Sequence, residues 1–355
     1  MKSDLVLEPN RWQPQSVTKS TGGVCDLIRK GDEESAKIFG DVAAMRSLFL
    51  DREGQLPEAK NIESPSRDPG RLINSRVLDP SNVPSPTGIF LHFHGGGLVA
   101  GRHDSSVHGP FLHANASGCR VVSVDYRLAP EDSYPSGVDL PVTVIGGELA
   151  HVSSAGAFLT MQVIFHLLGT YPTLDTVKAL GLAYGCYTWS FLPSVFTIPD
   201  PVCLNPRKMS IFRGLAMTPA PTITTPTLRA VDSEFGALQA ASATDTDPDS
   251  DPIYDSPLKH PVFSPLYRRF DYLESIASRL PVALFVAGTV DPLVDDTVLM
   301  SARWQMAQGR AVTRFVPGAP HAFAEVPIES GDCCVAYTKL VEKFLDEVLD
   351  EVLDQ

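Results

Sequence analysis

The chain has 355 residues, 43% of them apolar, enough to bury a full core in one domain with elaborations. Its formal charge of −13 disfavours nucleic acid and anionic membrane as partners, because both repel an acidic surface. A neutral small molecule is the more natural ligand. The opening stretch MKSDLVLEPNRWQPQS has no apolar core behind its lysine and does not read as a secretory signal. No window reaches the ~18 apolar residues of a membrane span. Cys25, Cys119, Cys186, Cys203, Cys333 and Cys334 follow no metal-ligand spacing, and they read as reduced thiols of a cytoplasmic protein.

Residues 1–60 read as an N-terminal helical cap segment, in which Ala36, Phe39, Val42, Met45 and Leu48 share one face of a helix expected from Glu33 to Phe49. From Arg71 the pattern changes to short apolar runs between turn residues, opening a main domain over 71–350. RLINSRVLD comes first, then IFLHFH ending in three glycines, then the valine-rich CRVVSVDYRL. VTVI (142–145), LGLAYG (180–185) and PVALFVAG (281–288) repeat the signature of strands buried on both faces, with helical patterns between several of them. The fold class is therefore α/β, with a mostly parallel, doubly wound sheet.

Between 187 and 260 the Pro-dense MTPAPTITTPT and the acidic ATDTDPDSDP interrupt every regular period, which reads as a cap or lid excursion. A calcium loop is not expected there, since the central glycine and terminal glutamate are missing. The chain closes on KLVEKFLDEVLDEVLDQ, an amphipathic helix with Leu340, Phe344, Val348 and Val352 on one face. That face packs on the sheet or forms the seam of a homodimer.

Three places in this layout carry chemistry. His94-Gly95-Gly96-Gly97 follows a buried strand, and glycines there let bare backbone N–H groups point into a cavity, as stabilisation of a developing oxyanion requires. No Gly-Lys-Ser/Thr follows, which argues against a phosphate loop. Asp291 directly follows the strand PVALFVAG, at the carboxyl edge where open α/β sheets place their sites. His321 lies past a Pro-Gly turn on a loop from which an imidazole can reach a cavity. Alone, the aspartate is an ordinary turn starter and the histidine a solvated side chain. Together, after a serine, they stand in the hydrolase order Ser, Asp, His.

HFHGGG (92–97), VSVDYRLAPED (122–132), SAGA (154–157), SPLY (264–267), GTVDPLVDD (288–296) and PGAPHAF (317–323) resemble successive signatures of the hormone-sensitive-lipase-like or arylacetamide-deacetylase-like esterases. The resemblance runs from about Arg71 to Val341 and implies an α/β-hydrolase fold with a small helical cap, a carboxylesterase acting on small-molecule esters, and no cofactor or metal. It makes Ser154 the nucleophile, His321 the general base and acid, Asp291 its orienting carboxylate, and Gly95, Gly96 and Ala155 the oxyanion-hole donors. Arg127 and Glu131 of YRLAPE are expected to be structural.

The chain departs from that family at the nucleophile elbow, a tight G-x-S-x-G turn in which Val152 stands where the first glycine belongs. Removing Leu149 to Ser153 would leave an intact GESAG, so these five residues read as an insertion. An insertion would move Ser154 by about 7.5 Å if helical or about 16 Å if extended, against the ~3 Å that proton transfer to a base allows. The linker PEDSYPSGVDLP, with three prolines, also reads as too short and too broken for the expected crossover helix. The alternative to an esterase is therefore a non-catalytic, ligand-binding member of the same fold.

Overall fold

A computed structural model describes residues 2–50, 59–66, 70–104, 108–134, 149–170, 177–217, 257–259, 261, 263–268 and 280–353. Its strands are β1 (Asp4–Leu5), β2 (Lys60–Pro65), β3 (Leu72–Leu78), β4 (Ile89–Phe93), β5 (Arg120–Val124), β6 (Leu149–Ser153), β7 (Ala179–Ala183), β8 (Val282–Gly288) and β9 (Ala311–Val316). They form one sheet in the order β1-β9-β8-β7-β6-β4-β5-β3-β2. Every pair from β1 to β5 along that order is parallel, and β3 and β2 close the far edge antiparallel. The expected mostly parallel sheet is thus observed.

The central strands are apolar on both sides because both faces are covered. On one face Leu91, Val122 and Val152 pack with helices α4 (Ala155–Thr170) and α7 (Val294–Met306), the latter through Met300 and Trp304. On the other, Phe90, Val121, Leu149 and Leu284 meet α1 (Lys19–Ser35), α3 (His108–Ser117) and α8 (Asp332–Leu353). Phe344 and Val348 of the apolar stripe of α8 are buried in this layer, so the C-terminal helix packs on the sheet. Among the described residues no helix is long and apolar enough to cross a membrane.

One local expectation needs correction. The single helix from Glu33 to Phe49 is two: α1 ends at Ser35 and α2 spans Val42–Leu50. Gly40 at φ 115° breaks the run, and Asp41 accepts the Ala44 N–H at 3.1 Å as the cap of the new helix. Phe39, Val42 and Met45 still pack on one core, so the periodicity reported a shared face rather than a continuous helix. The strand expected at 142–145 lies outside the described residues; the strand that precedes Ser154 is Leu149–Ser153. The connection from β5 therefore runs over 125–148, longer than the crossover read from the linker alone.

Of the remaining α-helices, α5 (Ser194–Thr197) is tied to the start of α7, where Ser194 Oγ donates to Pro292 O at 2.7 Å, and α6 (Pro206–Ala216) lies on the N-terminal segment. Asp32 pairs with Lys208 at 2.6 Å and accepts the Cys203 N–H at 2.8 Å, and Phe39 meets the Phe212 ring edge-on at 5.1 Å. The acidic run and the Pro-dense stretch between 218 and 256 fall outside the described residues.

Candidate active site

The chain places its candidate residues at the carboxyl ends of β4, β6 and β8 and on the loop after β9. The five residues expected as an insertion form β6 instead, paired in parallel with β4 and β7. Ala150 and Val152 point into one core and Leu149 into the other, so both faces of the segment are used. Ser154 follows at once at φ 51°, with its N–H bonded to Ala183 O at 3.0 Å, and α4 begins at the next residue. A left-handed non-glycine residue held between a strand and a helix is the strained geometry of a nucleophile elbow.

Val152 is tolerated because the close approach in this turn falls elsewhere. At Gly156 a Cβ would lie 2.1 Å from Phe93 O, whereas Val152 is fully buried within the core. Ser154 is thus held between the end of β6 and the start of α4.

Asp291 and His321 reach the serine because their two loops are knitted together. A Cβ on Gly288 would lie 1.8 Å from Ala319 O, so only glycine lets the histidine loop close on the end of β8. Val290 N donates to Ala319 O at 3.3 Å and Gly318 N to Thr289 Oγ1 at 2.8 Å. His321 Nδ1 then lies 3.1 Å from both carboxylate oxygens of Asp291, and Nε2 lies 3.0 Å from Ser154 Oγ. A carboxylate only accepts, so the Nδ1 proton faces Asp291 and the bare Nε2 lone pair faces the serine hydroxyl. Asp291 and His321 are both buried, which strengthens each contact.

The glycine loop lies across from the serine. A Cβ on Gly95 would sit 3.6 Å from Ser154 Cβ. Gly96 at φ 112° and Gly97 at φ 65° could not be replaced without contacts of 2.1 Å to Ala100 O and 2.3 Å to the Phe212 ring. Among the described residues, the N–H groups of Gly95, Gly96 and Ala155 have no acceptor. Behind the loop, His94 stacks on Tyr126 with centroids 4.2 Å apart, and the Tyr126 hydroxyl donates to His94 O at 2.7 Å. Burial lowers the His94 imidazole to about 4, so it is neutral and acts as a wedge.

Arg46 of α2 ties the loop to the N-terminal segment, donating to Val99 O at 2.9 Å and Ala129 O at 3.0 Å while pairing with Glu131. Glu131 and Arg127, which pairs with Asp132 at 3.5 Å, are structural as expected. Among the described residues no cluster of His, Cys, Asp and Glu could hold a metal ion.

With this geometry established, comparison with known proteins gives a family. A family model described as the alpha/beta hydrolase fold matches residues 90–250 and 250–325, more than half of the chain. The chain belongs to the α/β-hydrolase fold family. This α/β hydrolase is 36% identical over 106 residues to Esterase LipI of Mycobacterium tuberculosis, covering 29% of this chain and 33% of that one. It is 25% identical over 170 residues to the Acetyl esterase of Salmonella schwarzengrund, covering 42% and 51%. The chain thus spans a third to about half the length of these curated relatives. Among solved structures it is similar to a Pyrobaculum calidifontis esterase, with a TM-score of 0.65, 20% identity and coverage of 92% and 97%. It is also similar to a thermostable esterase from Pseudomonas putida, with a TM-score of 0.68, 17% identity and coverage of 94% and 96%. At such identity these structures speak for the fold.

Two acids of this α/β hydrolase had no role in the sequence reading. Glu325 lies four residues past His321, at the end of the turn Phe323–Glu325. Asp296 opens α7, fully buried, and its Oδ1 accepts the N–H groups of Tyr187 and Thr188, at 2.5 Å and 3.0 Å. Burial outweighs those donors and raises its carboxyl to about 8, so it is protonated at neutral pH.

An acid protonated in the folded chain and ionised in the unfolded one holds more protons when folded. Its stabilising contribution is complete below the unfolded value of 3.8 and drains away as pH rises to about 8. Asp296→Asn keeps the Oδ1 acceptor and removes the titration. Wild type is expected to lose about 2 kcal/mol more than this variant between pH 6 and 8 in urea unfolding. Parallel slopes in the two proteins would contradict it.

Proposed function

We propose that this α/β hydrolase is a carboxylesterase of small or medium acyl esters in which Ser154, His321 and Asp291 act as a triad. The observation that carries this reading is the unbroken line from Ser154 Oγ through the imidazole to Asp291, with contacts of 3.0 Å and 3.1 Å. His321 Nε2 takes the hydroxyl proton as Oγ bonds to the ester carbonyl carbon. The carbonyl oxygen becomes an oxyanion within reach of the Gly95, Gly96 and Ala155 N–H groups. Collapse breaks the bond to the alcohol, which leaves with the proton from His321. Water then attacks the acyl-serine by the same route and releases the acid.

The N-terminal segment 1–60 and part of 187–260 form a cap over this site, supported by the contacts of Asp32 and Phe39 with α6. The six cysteines, all free, support a cytoplasmic setting in which thiols stay reduced. The contact of Ser154 Oγ with His321 Nε2 at 3.0 Å favours this reading over the ligand-binding alternative, which has no need of it. The test is release of p-nitrophenol from short-chain p-nitrophenyl esters. Turnover with an initial burst is expected, and binding without turnover would return the chain to the ligand-binding reading.

A further inference from the structure

We propose that Glu325 is a positioning residue that sets the separation of Ser154 and His321, acting through Ser153 and Tyr184; the proposal rests on the serine-hydrolase reading above. His321 leads into Ala322, whose φ of 62° turns the backbone back on itself, and the short turn Phe323–Glu325 delivers the carboxylate to the elbow. There Ser153 Oγ donates to Glu325 Oε1 at 2.6 Å, and the Tyr184 hydroxyl donates to the same oxygen at 3.3 Å.

These contacts close a ring. Ser153 is bonded to Ser154, Ser154 Oγ meets His321 Nε2 at 3.0 Å, the chain runs on to Glu325, and Glu325 returns to Ser153. Asp291 restrains the imidazole from its Nδ1 side only. Glu325 fixes the segment beyond it, and it does so on the residue next to the nucleophile. Tyr184 braces the ring from inside: it is fully buried, and its ring stands edge-on to the imidazole with centroids 4.8 Å apart. An exposed glutamate normally serves as a solvated side chain, but here both hydroxyl donors, Ser153 and Tyr184, are buried and converge on one of its oxygens.

The test compares Ser153→Ala, Glu325→Ala, Glu325→Gln and the double alanine variant on p-nitrophenyl acetate, with Ser154→Ala as reference. Each single alanine variant is expected to lower kcat about 10- to 100-fold with KM little changed, the cost of misplacing a catalytic group by about an ångström. The double variant should be no worse than the poorer single one, because both cut the same link. Glu325→Gln retains an acceptor at the same position and should recover most of kcat.

Unchanged kcat in the alanine variants, or losses that multiply in the double variant, would overturn the proposal. Inactivity of Ser154→Ala in the same series would leave the serine-hydrolase reading standing. If the wild-type chain turned over no ester, crystal structures of wild type and Glu325→Ala would decide. A Ser154 Oγ to His321 Nε2 separation opening beyond ~3.5 Å in the variant supports the ring, and an unchanged separation overturns it.

Discussion

Ser154→Ala is expected to lower kcat/KM for p-nitrophenyl acetate by about 10⁴- to 10⁶-fold while leaving KM and the melting temperature nearly unchanged. In the proposed mechanism Ser154 Oγ bonds to the carbonyl carbon while handing its proton to His321 at 3.0 Å. Its removal takes away the covalent route and leaves only what the glycine loop and substrate binding supply, about 10³–10⁴ over water in triad enzymes. The left-handed backbone at φ 51° is as costly for alanine as for serine, so no stability is regained by relaxing it. Steady-state kinetics with a thermal melt check both halves of the expectation. A loss of activity accompanied by unfolding would assign Ser154 a structural part, and retained activity would place the nucleophile elsewhere.

Asp291→Asn is expected to cost about 10⁴-fold in kcat, with the fold intact. The carboxylate is fully buried and receives the Nδ1 proton of His321 through two contacts of 3.1 Å, while its Oδ1 also accepts the Leu293 N–H at 2.8 Å. An amide in its place presents an NH₂ group to the imidazole on one side. The ring then favours the tautomer with its proton on Nε2, which faces Ser154 and can no longer accept the hydroxyl proton. Because the amide oxygen can keep the Leu293 contact, the loop should hold its shape. The loss should ease as pH rises and hydroxide takes over the role of base. An Asp291→Asn enzyme within tenfold of wild type would remove the aspartate from the triad.

Much of this architecture was legible in the chain because the central strands are buried on both faces. β4, β5, β7 and β8 announce themselves as short apolar runs ending in turn residues. Lys60–Pro65 does not, since an edge strand of KNIESP, exposed along most of its length, carries no burial signal, and its pairing with β3 is settled only by the sheet. The aspartate and histidine of the site were legible through chain order.

The strand before the serine was not, because the pairing of Leu149–Ser153 depends on register with β4 and β7, which no local pattern reports. The turn has its left-handed backbone at Ser154 and its close approach at Gly156, and neither falls at Val152. The link from Glu325 to Ser153 joins residues 172 positions apart and has no signature in either neighbourhood.

The central claim is that Ser154 is a working nucleophile in an elbow lacking its first glycine. Peptide mass spectrometry after treatment with a fluorophosphonate tests it most directly. One adduct per chain is predicted, on the peptide carrying Ser154, absent in Ser154→Ala and formed far more slowly in His321→Ala. A chain that hydrolyses esters yet carries its adduct on another residue, or that takes up no adduct, would contradict it.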